Sequence, residues 1–235
     1  MPATGLKRIG IYLGSAVVAL AVLASCWLPE QFDTEIRFTS TGDYGVTYIG
    51  IITYAPLFGK IARGDISKED VDRQIAQYLK FLKGDSSFKE INSIGSGRFQ
   101  VKYMKEGKFA GNKQSFNFIS RQGAMFRLRT TEENTMVLGG SGQGVMYAKR
   151  FEEVGLKMSG LFRVVTDAEV LEHNANFVRK SATPGFTQYD WRIKSLRDPP
   201  PKLVAKLKVD PRTGVPAYGS AAPSGVEADD GKDDK

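Results

Sequence analysis

Hydrophobic and polar residues alternate along most of this chain, and a period of two marks half-buried β-strands. Phe32, Thr34, Ile36 and Phe38 share one face, Asp33, Glu35 and Arg37 the other, which predicts a strand over 32–39. Thr41-Gly42-Asp43-Tyr44-Gly45 has turn chemistry, and the β-branched and aromatic run Val46–Tyr54 is its hairpin partner, ended by Pro56 and Gly59. Further strands are predicted over Arg98–Met104, around Phe116 and Phe118, and over Met125–Thr130, Met136–Leu138, Leu156–Val165, Glu169–Leu171, Tyr189–Ile193 and Lys206–Val209. The period changes to 3.6 over Lys68–Lys83, where Val71, Ile75, Tyr78, Leu79 and Leu82 form one stripe. Ser67 is a suitable N-cap, Ile66 and Val71 suit a hydrophobic staple, and Gly84 is a stop. The pattern predicts an α+β fold: a curved, mainly antiparallel sheet packed on one principal helix at about 67–83. No repeat of 20–50 residues is visible.

The first 26 residues break this pattern. Lys7 and Arg8 precede an uncharged apolar run, Ile9–Ala24, in the manner of a secretory signal. Leu23-Ala24-Ser25-Cys26 closes it and resembles the lipobox of bacterial lipoproteins. That resemblance implies cleavage before Cys26 and a diacylglycerol on its thiol, so that acyl chains fix the protein to a membrane. Two other readings stay open: an uncleaved N-terminal anchor and an ordinary secreted protein. The domain organisation expected is a signal at 1–25, a tether at 26–31, a single α+β domain at 32–210 and a disordered Gly/Pro/acidic tail at 211–235.

Composition narrows the chemistry. One cysteine among 235 residues excludes a disulfide scaffold and a cysteine-rich zinc site, and one histidine leaves no imidazole cluster. The chain carries +7 overall. Without the signal and the tail, 29 basic residues face 21 acidic ones, a net of about +8 for the body. A basic body held at a membrane is drawn to anionic head groups, and Lys102, Lys105, Lys108, Lys113, Arg121, Arg127 and Arg129 are the candidate contacts. The simpler role for the same residues is a solvated strand face that discourages edge pairing. Nucleic acid is not an expected partner, because the N-terminus directs the chain out of the cytoplasm.

No catalytic pattern emerges. Leu138-Gly139-Gly140-Ser141-Gly142-Gln143-Gly144 lacks the Gly-Lys-Ser/Thr that closes a phosphate loop and the spacing of a dinucleotide fingerprint, so a turn between strands is expected. Ser141 lacks the setting of a nucleophile elbow. His173 lies in the polar stretch Glu172–Asn176, where turn chemistry explains the neighbouring asparagines. Asp65, Asp70 and Asp72 do not have calcium-loop spacing. No catalytic residue, metal ligand or cofactor is assigned, and the chain is expected not to be an enzyme. A carboxylate hydrolase stays open as a third possibility, since such pairs converge only in space. The remaining resource is aromatic. Phe99, Tyr103, Phe116, Phe118 and Phe126 recur at alternating positions, either as plain sheet core or, if the sheet curves, as the lining of a cavity for an acyl chain.

One segment resembles a family. The run from Ser159 through Phe162, Val165, Leu171, His173 and Asn174 to Ala175, followed by Asp190-Trp191-Arg192-Ile193, is similar to the closing half of the LppM-type envelope lipoprotein domain. The match spans residues 159–193 and consists of a strand, a Val-x-x-x-Asn-Ala turn and a strand carrying tryptophan. It implies a compact α+β domain of the cell envelope, facing the periplasm or the exterior, with glycolipid or phospholipid contact. Asn174 and Trp191 carry over as fold markers. The chain departs from that family in its acidic C-terminus, where an apolar segment would be. The function expected is therefore a lipid-anchored, non-enzymatic envelope lipoprotein that binds a lipid through its aromatic sheet. The alternative is a subunit or assembly factor of a larger envelope complex.

Overall fold

The computed structural model describes residues 27–119, 124–214 and 216–218. The signal, Cys26, Arg121 and the acidic run of the tail lie outside the described residues.

Twelve strands form two sheets among the described residues. In the seven-stranded sheet the order is β10 (Phe177–Lys180), β11 (Thr187–Ile193), β8 (Ser159–Thr166), β1 (Trp27–Phe38), β2 (Asp43–Tyr54), β4 (Arg98–Lys108) and β3 (Phe88–Gly95). The five-stranded sheet runs β5 (Ser115–Phe118), β6 (Phe126–Thr130), β7 (Thr135–Gly140), β12 (Lys202–Lys206) and β9 (Glu169–His173). All pairings are antiparallel except β1 with β8. The alternation seen in sequence is realised in space. Ile36, Phe38, Tyr48, Phe99 and Phe162 point inward from the larger sheet, Phe116, Phe118, Phe126, Leu128 and Leu138 from the smaller, and all belong to one buried cluster. Rings meet across the gap: Tyr103 and Phe118 at 4.8 Å, Tyr48 and Phe118 at 4.9 Å, Phe126 and Phe162 at 5.4 Å.

This corrects the expectation of one sheet packed on one principal helix. The core lies between two sheets, and four helices are described: α1 (Ala55–Ala62), α2 (Lys68–Lys83), α3 (Gln143–Met146) and α4 (Ala148–Glu153). Helix α2 begins as predicted, with the Asp70 N–H donating to Ser67 Oγ at 3.2 Å, but it covers only a flank of the core. Leu82 is fully buried, Ile75, Tyr78 and Leu79 are partly buried against the core, and Val71 belongs to neither buried cluster. With so many aromatics on both sheets, each sheet covers the other, and the helix is left a peripheral seat.

Four local features also differ. Strand β1 begins at Trp27, whose ring packs on Tyr54, Tyr78 and Phe99, so residues 27–31 are strand and not tether. The glycine run expected as a turn between strands leads from β7 into α3. The last strand sits at 202–206 instead of 206–209, because Leu203 and Ala205 start the inward alternation directly after the prolines. Nor does chain packing stop at Pro211: Val209 bridges Pro216, and the Tyr218 hydroxyl hydrogen-bonds Asn112 Oδ1 at 2.6 Å.

A kink in β1 shapes the Trp27 end of the molecule. The register shifts between Pro29 and Phe32, and the bulged strand is flanked by Gly50 of β2 and Gly160 of β8. A Cβ at Gly160 would run into the Phe32 carbonyl oxygen and come within 2.7 Å of its ring, so the bulge requires a residue without a side chain there.

Candidate functional site

A second small core gathers at the Trp27 end of the sheets. Leu28, Ala55, Ala148, Phe151, Leu156 and Leu196 are its buried members, drawn from β1, α1, α4 and two connecting segments. Pro56 stands in the first turn of α1, where its missing N–H is harmless, so a residue that ends one strand also starts a helix.

Between this small core and the main one lies a cavity of about 70 Å³. Its inner wall is Thr34, Tyr48, Phe126 and Phe162, and its outer wall includes Trp27, Leu28, Val145, Met158 and Pro199–Pro201. The Gly140–Gly144 run that fails as a phosphate loop contributes Gly140, Ser141 and Gly144 to the lining. Such a volume admits several water-sized groups, enough for a short stretch of acyl chain and too little for a whole lipid. The lining is mainly apolar, and among its polar members one stands apart. The Thr34 side chain is buried, and its Oγ1 has no hydrogen-bond partner among the described residues. A stranded hydroxyl costs about 1–3 kcal/mol, and a ligand acceptor or a water placed in the cavity would relieve it. The other buried polar group of the wall is satisfied: Tyr48 Oη donates to the Ile51 carbonyl at 2.9 Å. Burial, reinforced by the Glu30 carboxylate, holds that phenol well above its ordinary pKa and therefore neutral.

Beyond a shared wall of Ile193, Asp198 and Pro199 opens a polar cleft of about 250 Å³, lined also by Asn174, Asn176, Trp191, Arg192 and Lys194. Two of these are structural. Asn174 Oδ1 accepts from Trp191 Nε1 at 2.6 Å and from the Lys202 N–H at 2.8 Å, while Nδ2 donates to the Pro200 carbonyl at 2.9 Å. Asp198 Oδ2 accepts the N–H groups of Lys194 and Ser195, at 2.6 and 3.1 Å. The cleft keeps two cations, Arg192, whose guanidinium lies 5.6 Å over the Phe177 ring, and Lys194, which has no ion pair among the described residues. Apolar space and a cationic cleft thus meet at one wall.

The five aromatics named from sequence are all buried. Phe126 lines the cavity, while Phe99, Tyr103, Phe116 and Phe118 pack inside the inter-sheet core. Of the missed lining residues, Thr34 alternates as an ordinary inward strand position and carries no further signal, while Val145, Met158 and Pro199–Pro201 lie in a short helix and connecting segments that have no period to read. His173 serves its turn: Nδ1 accepts the Ala175 N–H at 3.2 Å, and the ring packs 5.0 Å from that of Tyr189. Among the described residues no three His, Cys, Asp or Glu side chains converge to hold a metal ion.

No known family profile matches the sequence, and no curated protein matches it. Solved structures do match. The chain is similar to the folded domain of the LppM protein of Mycobacterium tuberculosis, determined by NMR. The two are 12% identical, the match covers 79% of this chain and 95% of that chain, and the TM-score is 0.36, a distant likeness.

Proposed function

We propose that this protein is a lipid-anchored, non-enzymatic protein of the bacterial cell envelope that holds a membrane lipid or glycolipid at the Trp27 end of its sheets. A short stretch of acyl chain enters the apolar cavity, an ester or amide oxygen of the lipid meets the Thr34 hydroxyl, and the head group occupies the cleft beside Arg192 and Lys194. The observation that carries this reading is the pairing of an apolar cavity containing one unpartnered hydroxyl with a cationic cleft across a shared wall. The anchor is the acylated Cys26 that the lipobox implies. The test uses the full chain in vesicles containing a phospholipid with a photoactivatable acyl chain, with cross-linked peptides mapped after illumination. Label on Phe126, Met158 or Phe162 is expected. Label confined to residues 1–26 would mean that the chain is only anchored and binds no lipid in its body.

The alternative, a subunit of a larger envelope complex, rests on the β10 edge, where Phe177 and Val178 are half exposed. Cross-linking in cells from positions 177 and 178 distinguishes it, by capturing one defined partner or none.

A further inference from the structure

We propose that the end of the molecule carrying α1, α3, α4 and the 194–201 segment lies directly against the membrane, with Val145 and Met146 dipping into it and the cavity mouth opening onto lipid. Strand register defines this end. Trp27 pairs with Tyr54, which leads into α1; Gln31 pairs with Ser159; Ile193 pairs with Gly160. In sequence the apolar run Ile9–Ala24 and Cys26 directly precede Trp27, and Trp27 and Leu28 are already buried in the body. Whether the chain is held by acylated Cys26 or by an uncleaved apolar segment, the bilayer begins next to this end. The inference rests on that reading of the N-terminus. It does not require that the cavity binds lipid.

The surface chemistry suits such a neighbour. Met146 is 71% and Val145 42% exposed, side by side on α3, and Val145 is also part of the cavity wall. On the segments at this end Lys60, Lys149, Arg150 and Lys194, with Lys157 just before β8, are exposed and have no ion pair among the described residues. On the same segments the carboxylates are mostly engaged: Glu152 with Arg197, and Asp198 with backbone N–H groups, leaving Glu153. Most of the cations singled out from sequence are engaged instead: Lys102 is paired with Glu90, Lys108 with Asp43 and Lys113 with Glu132, Arg127 donates to Asn117, and Lys105 lies over the Phe116 ring, while Arg129 is exposed without an ion pair among the described residues. Free cations beside exposed apolar side chains match anionic head groups above an acyl layer.

The opposite end provides the control. Trp27 and Phe38 bound the twelve-residue β1, roughly 35 Å long at ~3.3 Å per residue, and exposed Ala182 lies in the turn between β10 and β11 near Phe38's end. The full chain is reconstituted as Met146→Trp or Ala182→Trp into vesicles with a quarter anionic phospholipid and brominated acyl chains. Both positions are exposed, so neither replacement enters the core. The native Trp27 and Trp191 are the same background in each. Vesicle flotation is measured first, then fluorescence quenching by bromine. The expected result is flotation of both variants, with quenching of the added tryptophan at least two-fold greater at 146 than at 182 and reduced when the anionic lipid is omitted. Flotation with equal quenching, or with greater quenching at 182, overturns the orientation while leaving the anchor in place. A blue-shifted but unquenched tryptophan at 146 would mean that a second copy of the chain covers this end, which also overturns it. Failure to float removes the anchor and the orientation together.

Discussion

Replacing Asn174 with Ala removes an amide that ties three segments together. Its Oδ1 accepts from Trp191 Nε1 on β11 and from the Lys202 N–H of β12, and its Nδ2 donates to the Pro200 carbonyl in the proline run between them. Trp191 is only 2% exposed, so its indole N–H has little other recourse. A neutral hydrogen bond contributes about 0.5–1.5 kcal/mol net, and a buried donor left without an acceptor costs about 1–3 kcal/mol. Lys202 and Pro200 lie near the surface, where water replaces much of what they lose. The sum expected is a loss of about 2–3 kcal/mol, which for a body of this size corresponds to roughly 4–12 °C in Tm. Urea unfolding of the full chain in mild detergent, followed by tryptophan fluorescence, measures it. Asn174→Asp keeps both accepting bonds and loses the donor, so it is expected to cost less than half as much. A loss below about 0.5 kcal/mol for the alanine variant, or an equal loss for both variants, would show that the Asn174 clasp does not hold Trp191. Because Pro199–Pro201 wall the cavity, the alanine variant is also expected to weaken photolabelling inside it.

Four other outcomes are expected. Thr34→Val, which trades the stranded hydroxyl for a methyl of similar size, should leave stability unchanged or raise it by up to about 1 kcal/mol while reducing lipid retention; thermal melts with and without added lipid check both. Leu82→Ala should cost about 2–5 kcal/mol, and Val71→Ala well under half of that, because only Leu82 is fully buried on α2; denaturant midpoints compare them. Gly160→Ala should destabilise by about 1–3 kcal/mol through its clash with the Phe32 backbone, and a neutral result in the same assay would mean that the β1 bulge can relax. Burial raises the pKa of Tyr48, and burial together with the Asp85 charge raises that of Tyr103, above the ordinary 10.0. Their phenols therefore stabilise the fold fully below about pH 10, and that stability is lost progressively above it as the unfolded chain ionises first; a stability profile from pH 8 to 11.5 should fall on its alkaline side.

Strands with one buried face were legible because their residues alternate. Phe32–Phe38, Arg98–Met104 and Phe126–Thr130 lie where the pattern puts them. Edge strands were not. Every residue of Phe177–Lys180 is exposed, and Phe88–Gly95 buries none, so neither has a periodic face to read. The short helices α3 and α4 have too few turns to show a 3.6 period. The second sheet was hidden for a different reason: each strand shows that one face is buried, but not whether a helix or another sheet covers it. The candidate site was the least visible. Asn174 and Trp191 stood out through a resemblance, and the hydrogen bond between them gives that pairing a physical basis. Thr34 is indistinguishable in sequence from any inward threonine, and only the space around it sets it apart.

The decisive measurement is native mass spectrometry of the full chain, extracted from its own membrane in mild detergent. A discrete non-covalent adduct of phospholipid or glycolipid mass, retained by the parent and diminished by Thr34→Val and by Val145→Trp at the cavity mouth, is the predicted result. A protein that carries its covalent acyl groups and nothing more, in parent and variants alike, would contradict lipid binding by this cavity.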